Sequence, residues 1–183
     1  NLTELTDLSV AGTAVKDLSP LKYASAMKKL NASNTGISSV EALQKMPALQ
    51  WLDLSRSPVS DVSHLVSLPE LQHIGLSGTS VADISTIAKL PALTSLNLSK
   101  TNVVDLSSLS DARALTNLNI DSTKVKDLRP LAGATALKEL SANHSRIDNL
   151  EPLKALPALE RIYCDQTQIV RSLAEAFMVS RPS

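Results

Sequence analysis

Written in lines of 22 residues from Leu5, the chain falls into register with itself from end to end. The lines begin at Leu5, Met27, Leu49, Leu71, Leu93, Leu115, Leu137 and Leu159, with no insertion or deletion. The fourth column reads Leu8, Leu30, Leu52, Ile74, Leu96, Leu118, Leu140, Ile162, and the eleventh is Val or Ile in every line. The ninth holds Thr13, Thr35, Ser57, Thr79, Thr101, Thr123, Ser145 and Thr167, a hydroxyl each time. A repeat this short cannot bury an apolar face alone, so neighbouring units must stack and share one continuous core.

Each line reads L-x-x-L-x-L-x-x-T/S-x-V/I, most often followed by x-D-L-x-x-L. In L-x-L the fourth and sixth columns point inward while the third, fifth and seventh point out, as a strand with one buried face requires. One strand per repeat builds a parallel sheet rising about 4.8 Å per unit, about 38 Å over eight. The return leg is too short for long helices. Its prolines (Pro20, Pro47, Pro69, Pro91, Pro130, Pro152, Pro157) favour extended or 3₁₀ pieces on the convex side. This pattern resembles the leucine-rich-repeat family over nearly the whole chain. The repeat length and the D-L-x-P-L tail (Asp17 to Leu21; Asp127 to Leu131) are similar to its internalin-like class, common in bacteria. That family usually carries Asn in the ninth column, where this chain has Thr or Ser. The resemblance implies an α/β-type solenoid with a parallel sheet on its concave face and short segments on its convex face.

The hydroxyl column is expected to form a ladder, each Thr or Ser donating to one turn and accepting from the next. It would replace the family's Asn and satisfy backbone groups that face a dry core. Asp17, Asp61, Asp83, Asp105 and Asp127 recur at one position and read as caps accepting backbone N–H bonds at the start of each convex turn. A metal-binding stripe is the weaker reading, because each turn supplies one carboxylate. Leu2 sits where a preceding repeat would place an apolar residue, so the chain reads as starting inside a repeat. After Ile169 the pattern changes. Ser172 to Glu175 matches a capping box, and Leu173 with Phe177 gives one apolar face, so a short helical cap is expected over about 171–183. The whole of 1–183 then forms a single domain.

Composition narrows function. Aromatics are 2% against 43% hydrophobic residues, as thin stacked aliphatic layers would give. Net charge is zero, without the footprint of a nucleic-acid partner. The single Cys164 leaves no internal disulfide, and no apolar run is long enough to span a bilayer. His64, His73 and His144 fall on the convex side, the sheet and the turn beyond it, so they do not converge on a metal or nucleophile. No G-x-S-x-G, Gly-rich phosphate loop or H-E-x-x-H is present. Neither enzyme activity nor a cofactor is expected.

Function in such a fold lives on the outward columns. The third reads Asp7, Lys29, Trp51, His73, Ser95, Asn117, Glu139, Arg161, and the fifth Ser9, Asn31, Asp53, Gly75, Asn97, Asn119, Ser141, Tyr163. Trp51 is the only tryptophan, either a binding anchor or a cover over neighbouring strands. Gly75 leaves a notch beside Trp51, Asp53 and His73. Tyr163 with Arg161 and Glu139 makes a second group, unless Tyr163 packs under the C-terminal helix. Ser95, Asn97 and Asn119 complete the candidate surface. Asn31, Asn97 and Asn143 each begin an N-x-S sequence on that face, where glycans would cover it. A bacterial protein, cytoplasmic or exported, avoids the conflict. The leading reading is a protein-interaction module; a glycan- or peptidoglycan-binding surface module or a structural spacer are the alternatives.

Overall fold

The computed structural model describes residues 2–169 and Phe177. Eight three-residue strands form one parallel sheet in sequence order. They are β1 (Asp7–Ser9), β2 (Lys29–Asn31), β3 (Trp51–Asp53), β4 (His73–Gly75), β5 (Ser95–Asn97), β6 (Asn117–Asn119), β7 (Glu139–Ser141) and β8 (Arg161–Tyr163). Every strand pair is offset by one repeat, as in Trp51 opposite His73 and Leu52 opposite Ile74. The strands are the third to fifth columns, where L-x-L alternation predicts them. On the return legs lie 3₁₀ turns at Ser19–Leu21, Glu41–Lys45, Ser63–Ser67, Ile87–Lys89, Ser107–Asp111, Arg129–Gly133 and Glu151–Leu153. Pro20, Pro130 and Pro152 enter three of these at the first or second position, where the missing N–H costs nothing. The fold is a leucine-rich-repeat solenoid.

The core is aliphatic and continuous. In the middle coils the inward columns are buried almost without exception, for example Leu96, Leu98, Val103, Leu106 and Leu109 within one coil. Leu5, Leu8, Val10 and Val15 in the first coil, and Ile162, Cys164 and Ile169 in the last, are only partly buried. The expected cap over 171–183 lies outside the described residues apart from Phe177, which is buried.

The acidic file caps as expected. Asp17, Asp61 and Asp83 each accept the backbone N–H two residues on at 2.8 Å. Asp105 does so at 2.7 Å and Asp127 at 2.9 Å. Asn149 takes the role in the seventh coil and Ser39 in the second. Hydrogen bonds to the carboxylate favour its charged form and hold all five acids below their ordinary pKa. The chief donors are the side chains of Ser19, Ser107 and Arg129 for Asp17, Asp105 and Asp127, and the backbone N–H of Ser63 and Ser85 for Asp61 and Asp83. Among the described residues no cluster of three potential metal-binding side chains forms.

The hydroxyl column corrects the expectation of a ladder. Thr13, Thr35, Thr79, Thr101, Thr123, Ser145 and Thr167 each donate to the carbonyl three residues back in their own turn, at 2.6–2.8 Å. Only Ser57 crosses between coils: it donates to Ala32 O at 3.1 Å and accepts the Thr35 N–H at 3.2 Å. A hydroxyl one bond from Cβ is too short to bridge coils about 4.8 Å apart while holding its own turn, a reach that an Asn carboxamide has.

One feature was not anticipated. The eighth column, at the third position of the turn leaving the strand, has positive φ in every coil: Gly12, Asn34, Arg56, Gly78, Lys100, Ser122, His144 and Gln166, between 53° and 70°. From Gly12 to His144 their amides extend the inter-coil ladder, as from Lys100 to Asp121 O at 2.8 Å.

Candidate functional site

The outward face of the sheet is built by strand geometry alone, since every second side chain leaves the core. On β3, Trp51 is half-buried, with Lys29 of β2 lying over its ring at 4.8 Å from Nζ to centroid. Lys29 is a contributor that the sequence reading missed, although it stands one repeat before Trp51 in the same column. His73 lies opposite Trp51 on β4 and is exposed. The expected notch at Gly75 is closed. A Cβ there would stand 2.5 Å from Asp53 Oδ1, so the glycine serves to admit that carboxylate rather than a partner's side chain.

Asp53 is held there by a bond that recurs along the fifth column. Its Oδ1 accepts the Ser55 N–H at 2.9 Å. Asn31, Asn97 and Asn119 do the same for Ser33, Ser99 and Asp121 at 3.1, 3.0 and 2.8 Å. These are Asx turns that satisfy the first outward amide beyond the strand. Where the fifth column is Ser141, the cap comes from the coil before: Asp121 Oδ1 takes both Ser141 Oγ and the Asn143 N–H at 2.7 Å. The candidate residues Asp53, Asn97 and Asn119 therefore each have one oxygen committed to the fold.

Ser95, Asn97, Asn119 and Glu139 come together with Asn117 and Ser141 around one shallow depression of about 170 Å³ on the sheet face. Glu139 Oε2 accepts from Arg161 Nε at 2.8 Å, and this pairing raises the Arg161 pKa. Tyr163 stands beyond them, 44% exposed. The candidates thus fall into three groups: Trp51, Asp53, His73 and Gly75; the central depression; and Arg161 with Tyr163 at the last strand. A larger hollow of about 410 Å³ lies on the convex edge between Lys126, Arg129 and Pro152. Its charges are already paired, Lys126 with Asp148 at 3.1 Å and Arg129 with Asp127 at 2.7 Å. His64 lies on the 3₁₀ turn Ser63–Ser67, His73 on β4 and His144 at the positive-φ turn, on three separate parts of the coil. The half-buried Cys164 thiol is pushed up by burial and by neighbouring Asp165, which keeps it protonated. No helix among the described residues is long and apolar enough to cross a membrane.

An eight-stranded parallel sheet with a 22-residue repeat and 3₁₀ return legs defines a leucine-rich-repeat protein, and among solved structures the chain is similar to internalins. It is 31% identical to an internalin (inlF) of Listeria monocytogenes, with a TM-score of 0.91 over 98% of this chain and 53% of that one. Against internalin C2 of the same organism identity is 27% and the TM-score 0.89, covering 92% and 75% of the two chains. A plant peptide hormone receptor solved in complex with RGF2 shares the fold at 16% identity and a TM-score of 0.75, over 88% of this chain and 28% of the receptor. The chain thus spans about half of the inlF structure. No family model and no curated relative matches it.

Proposed function

We propose that this chain is a protein-interaction module, a binder and not an enzyme, that holds a partner against the outward face of its sheet. The observation that carries the reading is the contrast between columns. Inward positions repeat the same aliphatic residues coil after coil, whereas the third column changes at every step and includes the lone tryptophan. A surface whose only task is solubility needs no such variety, and an aromatic amid charged and polar neighbours is the usual composition of a binding centre. The plant receptor in complex with RGF2 supports the reading at the level of fold.

The test is capture of partners from lysate and envelope fractions of the source organism, with the native chain, Trp51→Ala and Lys126→Ala compared. A partner retained by the native chain and Lys126→Ala but lost by Trp51→Ala is the expected outcome. Loss only in the Lys126 variant would move the site to the convex edge and refute the reading.

A further inference from the structure

We infer that the depression between β5, β6 and β7 takes a main-chain amide of an uncharged polypeptide segment, the carbonyl received by Asn97 and Asn119 and the N–H by Glu139. The inference rests on the reading of this face as the interaction surface and gives it a partner chemistry.

The argument starts from the orientation of two carboxamides. Only an oxygen can accept from a backbone N–H, so the bonds from Ser99 and Asp121 fix Oδ1 of Asn97 and Asn119 toward the fold. Both Nδ2 groups are then left to face the depression as donors. The two residues are register partners on adjacent strands, about 4.8 Å apart. Two N–H donors at that spacing can converge on the two lone pairs of one carbonyl oxygen, each bond being about 2.9 Å.

Glu139 supplies the complement. Its Oε2 is taken by Arg161, and the second carboxylate oxygen remains as an acceptor at the rim. Glu139 stands diagonally across the β6–β7 pair from Asn119 and lines the same depression, so a single amide unit lying between them can meet a donor on one side and an acceptor on the other. Charge selects against a carboxylate ligand, because Asp121 and Glu139 both lie beside the site. An amino sugar also carries an amide, but no aromatic ring lines the depression to support its pyranose face.

The test uses a random dodecapeptide library displayed on phage, panned against the native chain. Enriched peptides are then measured against N97D/N119D, which turns both outward donors into acceptors while keeping Oδ1 in place. Asp53 already makes the same cap with a carboxylate, so both turns can keep their bonds, and thermal unfolding of the variant checks that the two facing charges leave it folded at the assay temperature. The expected result is enrichment of peptides with an uncharged binding stretch whose affinity falls on the order of tenfold or more in N97D/N119D. In the native chain their binding should also shift the Asn97 and Asn119 side-chain NH₂ resonances, a readout that does not depend on the variant folding. Peptides that bind N97D/N119D normally but not Trp51→Ala overturn the inference while leaving the sheet-face reading intact. No enrichment, or binding indifferent to both variants, overturns both. Chitotetraose binding that N97D/N119D abolishes would assign the depression to an amino sugar and refute the peptide.

Discussion

Lys100 and its counterparts show how much of the turn geometry is dictated by the fold and how little by the residue. Among the eight positive-φ positions of this column Gly12, Gly78 and Asn34 are residues at home there; Arg56, Lys100, Ser122 and His144 adopt the left-handed turn while their amides bond to the next coil, and Gln166 adopts it in the last coil. The left-handed region costs an L-residue roughly 1 kcal/mol or more, so Lys100→Gly should stabilise the chain by about 1 kcal/mol, read as a rise in the urea midpoint. Lys100→Val should lower it. This column could not be read from sequence, because its residues share no side-chain chemistry and Arg56, Lys100 and Gln166 favour no turn, whereas the ninth-column hydroxyl beside it was plain. Asp83 gives a second prediction at this scale. Its folded pKa lies below the unfolded one, so its contribution is complete above the ordinary carboxylate range and is lost as pH falls through the folded value. Asp83→Asn, which keeps the cap as Asn149 does, should therefore show a shallower loss of melting temperature between about pH 5 and 2 than the native chain.

At the level of the coil, strand and return leg are each locked by a different polar device. The strand exit is closed by an Asx oxygen in the fifth column and a hydroxyl in the ninth; the convex turn is opened by the Asp file. The alternation that marks the strands and the prolines that mark the return legs were legible because period and backbone constraint survive in any context. The direction of the hydroxyl bond was not, since a Thr or Ser in the column where the family carries Asn shows a polar role without showing how far it reaches. Thr101→Val removes the bond from Oγ1 to Leu98 O at 2.6 Å while keeping the shape, and should cost about 1 kcal/mol, measurable by chemical unfolding. Ser57→Ala should cost more, because it removes a hydroxyl that both donates to Ala32 O and accepts the Thr35 N–H of the neighbouring coil. The fifth column was legible as outward-facing but not as half-committed: a carboxamide that caps its own strand looks in sequence like one free for a ligand. The closed notch at Gly75 has the same origin, since a glycine does not announce which neighbour fills its place.

Across the whole molecule each coil packs on the one before and the one after, so stability is close to a sum of nearest-neighbour terms. Leu118, fully enclosed between coils, should lose about 2–5 kcal/mol on replacement by Ala. The partly buried Leu8 of the first coil should lose clearly less; comparable losses in calorimetry would contradict the stacked description. The candidate surface was legible at this scale as a face, through the columns that point away from the core, though not as three groups. The constant offset of 22 residues in every strand pair carries a consequence beyond stability. Within the repeats, removing or duplicating one full period leaves a junction with the same strand register and the same kind of turn as those elsewhere in the molecule. Genetic exchange between misaligned copies can therefore lengthen or shorten the protein by whole units without breaking the register of the sheet. Recognition is then free to change by reshuffling complete outward rows rather than one residue at a time.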